Sequence, residues 1–242
     1  MKIEKIIKQK NSKYKLIFED GSSLITYDEV VLNHNLLFHK EIDDETYHIL
    51  ITDSNYYQIY NDSIKYISKR LRSELEVRKY IEKKTLDLYL IDDIINKLKE
   101  KKYIDDERFA NAYTTDKLNF SNCGILKIKQ ELIHLGITDD IINNVCDNIN
   151  NSNDKLKKLI DKKIQNNHKY SNYYLKQKIL NDLLNMGYER EEIHKILDSY
   201  TIDDNEIREL EYKKIYHKLK YKYNGKELEY QINLKLHAKG FK

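Results

Sequence analysis

The chain has 242 residues, enough for one or two domains or for an array of small units. Hydrophobic residues make up 40% and charged residues 34%, with no Pro, no Trp and 6 Gly, a composition that favours long helices with a charged surface. The net charge is +3, no run of about 18 apolar residues offers a membrane span, and no charged segment with an apolar run opens the chain, so a cytoplasmic protein is the expectation.

Residues 1–60 carry 7 lysines against 10 acidic residues, whereas the remainder is basic. In KYKLIFEDGSSLIT, Tyr14, Leu16 and Phe18 alternate with other residues, and Asp20-Gly21 suits a tight hairpin. Met1–Gln9 supplies a third candidate strand. Two short helices are predicted near Asp28–Asn33 and Asp43–Ile51.

From about residue 61 the pattern turns helical and repeats. Thr85, Gly136, Gly187 and Gly240 anchor it, at spacings of 51, 51 and 53 residues. Eight residues before each anchor stand Val77, Ile128, Ile179 and Ile232; four before stand Ile81, Leu132, Leu183 and Leu236. Apolar residues at those offsets share one helical face, and a glycine after them fits a helix C-terminus. A cap follows at Asp87, Thr138 or the weaker Glu189, then a second apolar stripe. One more helix precedes each pair, around Ile64, Phe109, Leu156 and Ile207. The expected fold is mainly α: an elongated array of tandem three-helix repeats behind a small N-terminal head containing a β-hairpin. The head covers 1–60, repeats cover 61–103, 104–150 and 151–200, and an incomplete fourth covers 201–242.

Acidic pairs recur at Asp43-Asp44, Asp92-Asp93, Asp105-Asp106, Asp139-Asp140 and Asp203-Asp204. Most fall at helix starts, where carboxylates suit the helix dipole, and this disfavours a shared metal site. In YIDDERFANAY (103–113), Asp105 reads as a cap, with Ile104 and Phe109 placed to form a hydrophobic staple. Ile202, Asp203 and Ile207 repeat that arrangement. Eight scattered histidines, two cysteines (Cys123 and Cys146) outside metal or disulfide spacing, and the lack of a GxxxxGK loop leave no catalytic, cofactor or metal residues to name. An enzyme is not expected.

The basic residues say more. Three of six arginines, Arg70, Arg72 and Arg78, lie within nine residues. Guanidinium groups grip carboxylates or phosphates with paired hydrogen bonds, which suits a partner. Local pairing with Glu74, Glu76 and Glu82 explains the cluster equally well. Arg108 is the polar residue of its motif most open to a contact. Lysines including Lys127 and Lys129 concentrate in first and second helices. Residues 212–226 hold 6 lysines and no acid.

YISKRLRSELEVRKYI (66–81), YIDDERFANAY and GILKIKQELIHLGI (124–137), in that order and spacing, resemble the RecX family, bacterial regulators of the RecA recombinase. The resemblance implies no catalysis and no cofactor. It implies binding along the groove of a RecA–DNA filament, with inhibition of ATP hydrolysis, strand exchange and the SOS response. Single-stranded DNA inside the filament is an implied second partner. A DNA-binding helical repeat protein acting without RecA is the alternative. Arg70, Arg72, Arg78 and Arg108 fall on charged motif positions of the family. Leu71 and Ile125 stand where the family often has Pro, and Thr85 and Lys102 where Gly is common.

Overall fold

A computed structural model describes residues 1–147 and 153–241. The N-terminal strands are β1 (Ile3–Lys8), β2 (Lys13–Phe18) and β3 (Ser23–Tyr27), an antiparallel sheet in the order β1-β2-β3. Gly21 turns the chain at φ +83°, and both the amide and hydroxyl of Ser22 donate to the Asp20 carboxylate. Leu16 and Phe18 point from β2 into a core completed by Ile3, Val30, Val31, Leu36, Ile42 and Leu50.

Helix α1 (Asp28–Asn33) follows β3 directly. Asp43 then caps α2 by accepting from the Thr46 amide at 2.8 Å. Here the structure corrects the short helix expected over 43–51, because α2 spans Asp44–Ile67. Residues 52–60 continue its buried face, with Ser54, Ile59 and Tyr60 turned inward, so nothing ends it at Ile51. Residues 60 and 61, on either side of the expected head boundary, lie within this helix.

The helices beyond are α3 (Glu74–Glu82), α4 (Leu88–Glu100), α5 (Asp106–Phe120), α6 (Ile125–His134), α7 (Asp139–Asp147), α8 (Asn153–Gln165), α9 (Asn172–Asn185), α10 (Arg190–Leu197), α11 (Asn205–Leu219) and α12 (Gly225–Ala238). They succeed one another as the repeat predicts, α2, α5, α8 and α11 being the first helices. The boundary expected at 150/151 and the terminal Lys242 lie outside the described residues. Val77, Ile81, Ile91, Ile94 and Leu98 build the first helical core; Leu156, Ile179, Leu183, Ile193 and Leu197 build that of the third unit. Ile215, Leu219, Ile232, Leu236 and Phe241 pack α11 against α12.

By backbone contacts the chain forms two compact units. One holds Met1–Ala110 and Leu135–Ile141; the other holds Asn111–His134 and the described residues of Ile142–Lys242.

Within each unit the anchor glycines serve a shared purpose. All three have positive φ, which a glycine adopts without strain. More tellingly, each presses on the start of the second helix one repeat earlier. A Cβ on Gly136 would lie 2.7 Å from that of Leu75; on Gly187, 2.4 Å from the Lys127 amide; on Gly240, 2.8 Å from Ser171 Oγ. Gly124 meets Gly187 from the other side, and the Gly124 amide donates to the Met186 carbonyl at 2.7 Å. Thr85 belongs to the first helical repeat, whose second helix has no earlier repeat to press upon. Its φ is not positive, so a side chain is tolerated there. Lys102 does adopt φ +56°, a conformation costly for a residue with a Cβ.

Two of the acidic pairs tie the same places together. Asp105 caps its own helix, accepting from the Arg108 amide at 2.8 Å. Asp106 instead accepts from the amide of Glu74, the first residue of α3, at 2.8 Å. Asp204 does the same for Asn172, first in α9, at 2.6 Å. The cap expected at Asp203 needs correcting. Asp204 occupies the cap position of α11 without a side-chain bond to that helix, while Asp203 accepts from Asn205. The carboxylate of Asp204 is thus committed to the neighbouring α9.

Candidate partner-binding surface

The α2–α3 turn sets the arginine cluster. Ser73 caps α3, accepting from the Glu76 amide, while Glu76 reaches back to the Ser73 amide in a capping box. This fixes the Glu76 carboxylate, and two arginines converge on it. Arg70 Nη2 lies 2.5 Å from Oε1 and its Nη1 3.3 Å from Oε2. Arg72 Nη1 lies 3.2 Å from Oε1. Burial pushes the Glu76 pKa up, but hydrogen bonds from Arg70, the Ser73 amide and Arg72 outweigh it and hold the group below its usual range.

Arg72 is further committed. Its guanidinium carbon sits 4.1 Å from the Tyr66 ring centroid, and Tyr66 stacks on Tyr80 at 4.2 Å. Only 13% of the Arg72 side chain is exposed, against 54% for Arg70. Arg78 bridges Asp92 at 2.7 Å and Glu74 at 3.7 Å. The local pairing considered for this cluster is present at Glu74 and Glu76, whereas Glu82 joins no ion pair among the described residues.

Arg108 differs. It is exposed on the first turn of α5, and among the described residues its side chain has no ion pair or hydrogen bond. Lys127 and Lys129 lie on α6, in the other unit. Lys129 reaches Asp147 at 3.7 Å, while Lys127 has no ion pair among the described residues and packs its backbone against Gly187. The six candidates therefore divide four and two between the units, and the structure brings only Arg70 and Arg72 onto one carboxylate.

Sequence reading missed Lys155, whose ammonium group donates to the Leu118 and Ser121 carbonyls at the C-terminal end of α5. No periodic signal marks such a cap, because it depends on a long-range approach. It also missed Lys169 and Lys178, which flank the Tyr170 ring. Among the described residues, no group of three or more His, Cys, Asp or Glu side chains could hold a metal, and no helix is long and apolar enough to cross a membrane.

The model of the RecX second three-helix domain matches residues 105–145, from the Asp105 cap into α7. The regulatory protein RecX of Oceanobacillus iheyensis is 30% identical to this chain, with 99% of the chain and 93% of the relative covered. This chain belongs to the RecX family. The Listeria welshimeri RecX is 30% identical over 79% of the chain and 72% of its own length. A crystal structure of a regulatory protein RecX shares the fold with a TM-score of 0.71 at 21% identity, covering 82% of this chain and 99% of that one. The Lactobacillus salivarius RecX crystal structure matches 60% of this chain and 95% of its own, with a TM-score of 0.56 and 27% identity. The mainly helical fold with its small N-terminal sheet is thus that of RecX proteins, and the curated relatives are named regulatory proteins.

Proposed function

We propose that this chain is a cytoplasmic regulator that binds RecA–DNA filaments along their groove and inhibits ATP hydrolysis and strand exchange. The observation that carries this reading is membership of the RecX family over nearly the whole chain. Tandem units in one chain suit a filament of identical protomers, because contacts made by successive units add through effective concentration. Arg108 and Lys127 are the candidate contacts with uncommitted charge, and Arg70 offers the more exposed guanidinium of its cluster. Arg72 and Arg78 act mainly by shaping that surface.

The test is the DNA-dependent ATPase of RecA with sub-stoichiometric amounts of this protein. A fall in rate is expected. Unchanged ATPase and strand exchange at saturating concentration would sink the reading.

A second reading, direct binding to DNA without RecA, draws on the last helices. Lys213, Lys214, Lys218, Lys222 and Lys226 are all exposed. Such binding weakens steeply as salt rises, and no binding to naked DNA at low salt would remove it.

A further inference from the structure

A cleft of about 470 Å³ opens where the C-terminal end of α8 meets α9. Leu159, Leu175 and Ile179 line it with apolar surface. Lys162, Lys163, Lys169 and Lys178 also line it, against a single carboxylate, Asp182. Lys163 is neutralised by Asp182 at 2.5 Å. Lys162, Lys169 and Lys178 are exposed and join no ion pair among the described residues, which leaves three uncommitted positive charges around an apolar floor.

Two of those charges converge on one ring. The ammonium groups of Lys169 and Lys178 lie 5.5 and 5.4 Å from the Tyr170 centroid. Their mutual repulsion is offset in part by the ring, and an anion placed between them would offset it further. The loop carrying Lys169 and Tyr170 is held in place. Asn167 accepts from the amides of Lys169 and Tyr170 at 3.3 and 2.9 Å and donates to the Tyr170 carbonyl at 2.8 Å. Ser171, next in the chain, donates to the Lys239 carbonyl at 2.8 Å. Little ordering of this loop is left for a ligand to impose.

We infer that this cleft binds a nucleotide, with its phosphate among Lys162, Lys169 and Lys178 and its base on the apolar floor beside Tyr170. An apolar floor with cations at its edge matches a flat base joined to a phosphate. An acidic peptide would answer the lysines but leave the floor uncovered. The shared chemistry is a base with a phosphate, supplied by a free nucleotide or by one unit of a single-stranded chain.

The test uses the full chain without RecA, so its failure leaves the filament reading standing. Binding of a labelled oligo-dT is followed by anisotropy at low salt, and binding of ADP and of hexaglutamate by calorimetry. Wild-type protein is expected to bind oligo-dT, with about tenfold loss in Lys169→Ala/Lys178→Ala and a salt slope shallower by about 1.4, for two phosphate contacts. Binding of ADP as well, lost in the same variant, assigns the cleft to free nucleotides; binding of oligo-dT alone, lost in that variant, assigns it to a chain. The inference is overturned if the variant unfolds at the wild-type temperature and binds undiminished whichever nucleotide probes the wild type binds, or if wild-type protein binds neither. Hexaglutamate bound as tightly as either, and lost in the same variant, would overturn the nucleotide assignment.

Discussion

The Asp106 carboxylate accepts a hydrogen bond from the amide of Glu74 at 2.8 Å, thirty-two residues earlier in the chain. Asp204 and Asn172 repeat the bond at the same separation. In these two pairs one acid thus belongs to the helix of the preceding repeat. Asp106→Ala should cost about 1 kcal/mol, the usual worth of a helix cap, while Asp106→Asn should keep most of it. Urea unfolding of the two variants measures both. Burial raises the Asp106 pKa above its unfolded value, so the folded state binds this proton more tightly. This group's contribution to stability therefore grows as pH falls through the raised value, a component that the asparagine variant should lack.

Gly124→Ala should be among the most damaging single changes in the chain. Its Cβ would lie 2.3 Å from the Gly187 carbonyl oxygen, a backbone atom with no rotamer to yield. A cost of about 2 kcal/mol or more is expected from such overpacking. Gly21→Ala provides the contrast, because nothing lies within 4 Å of its Cβ and only the positive φ is penalised. Thermal unfolding of both variants should rank them in that order.

Glu76 holds two arginines, and its pKa is lowered in the fold. The stability it contributes is present above the usual glutamate pKa of about 4.3 and is lost as pH falls through the depressed folded value. Glu76→Gln should lower stability near pH 7 and flatten the acid limb of the stability profile. Equal acid limbs in the two proteins would contradict the assignment.

Arg108→Glu should leave stability within about 0.5 kcal/mol of wild type, as for an exposed residue with an uncommitted side chain. The same change should weaken inhibition of RecA ATPase several-fold. Arg72→Ala should do the reverse: it removes the Tyr66 stack and a Glu76 bond, so unfolding moves first. Circular dichroism melts beside the ATPase titration separate the two residues.

The repeat register was legible because apolar residues at fixed offsets from a glycine leave a periodic trace. Asp105 as a cap, the α1 bounds and the Asp20-Gly21 turn were legible for the same local reason. The length of α2 was not, since its inward face passes from one core to the next without a break in pattern. Nor was the destination of Asp106 and Asp204, which depends on a neighbour thirty-two residues away. The arginine cluster was legible as a cluster, but its division between Glu76, Asp92 and the Tyr66 ring required the fold.

The 24 residues of α2 place Leu50 in the sheet's core and Ile59 and Ile67 in the first helical core. At 1.5 Å per residue this rod is about 36 Å long. A break in its middle would strip both cores of a wall at once, so the sheet cannot melt away and leave the first repeat intact. Amide hydrogens from Leu50 to Ile67 should therefore exchange through one shared opening event, making the N-terminal third of the protein a single cooperative block.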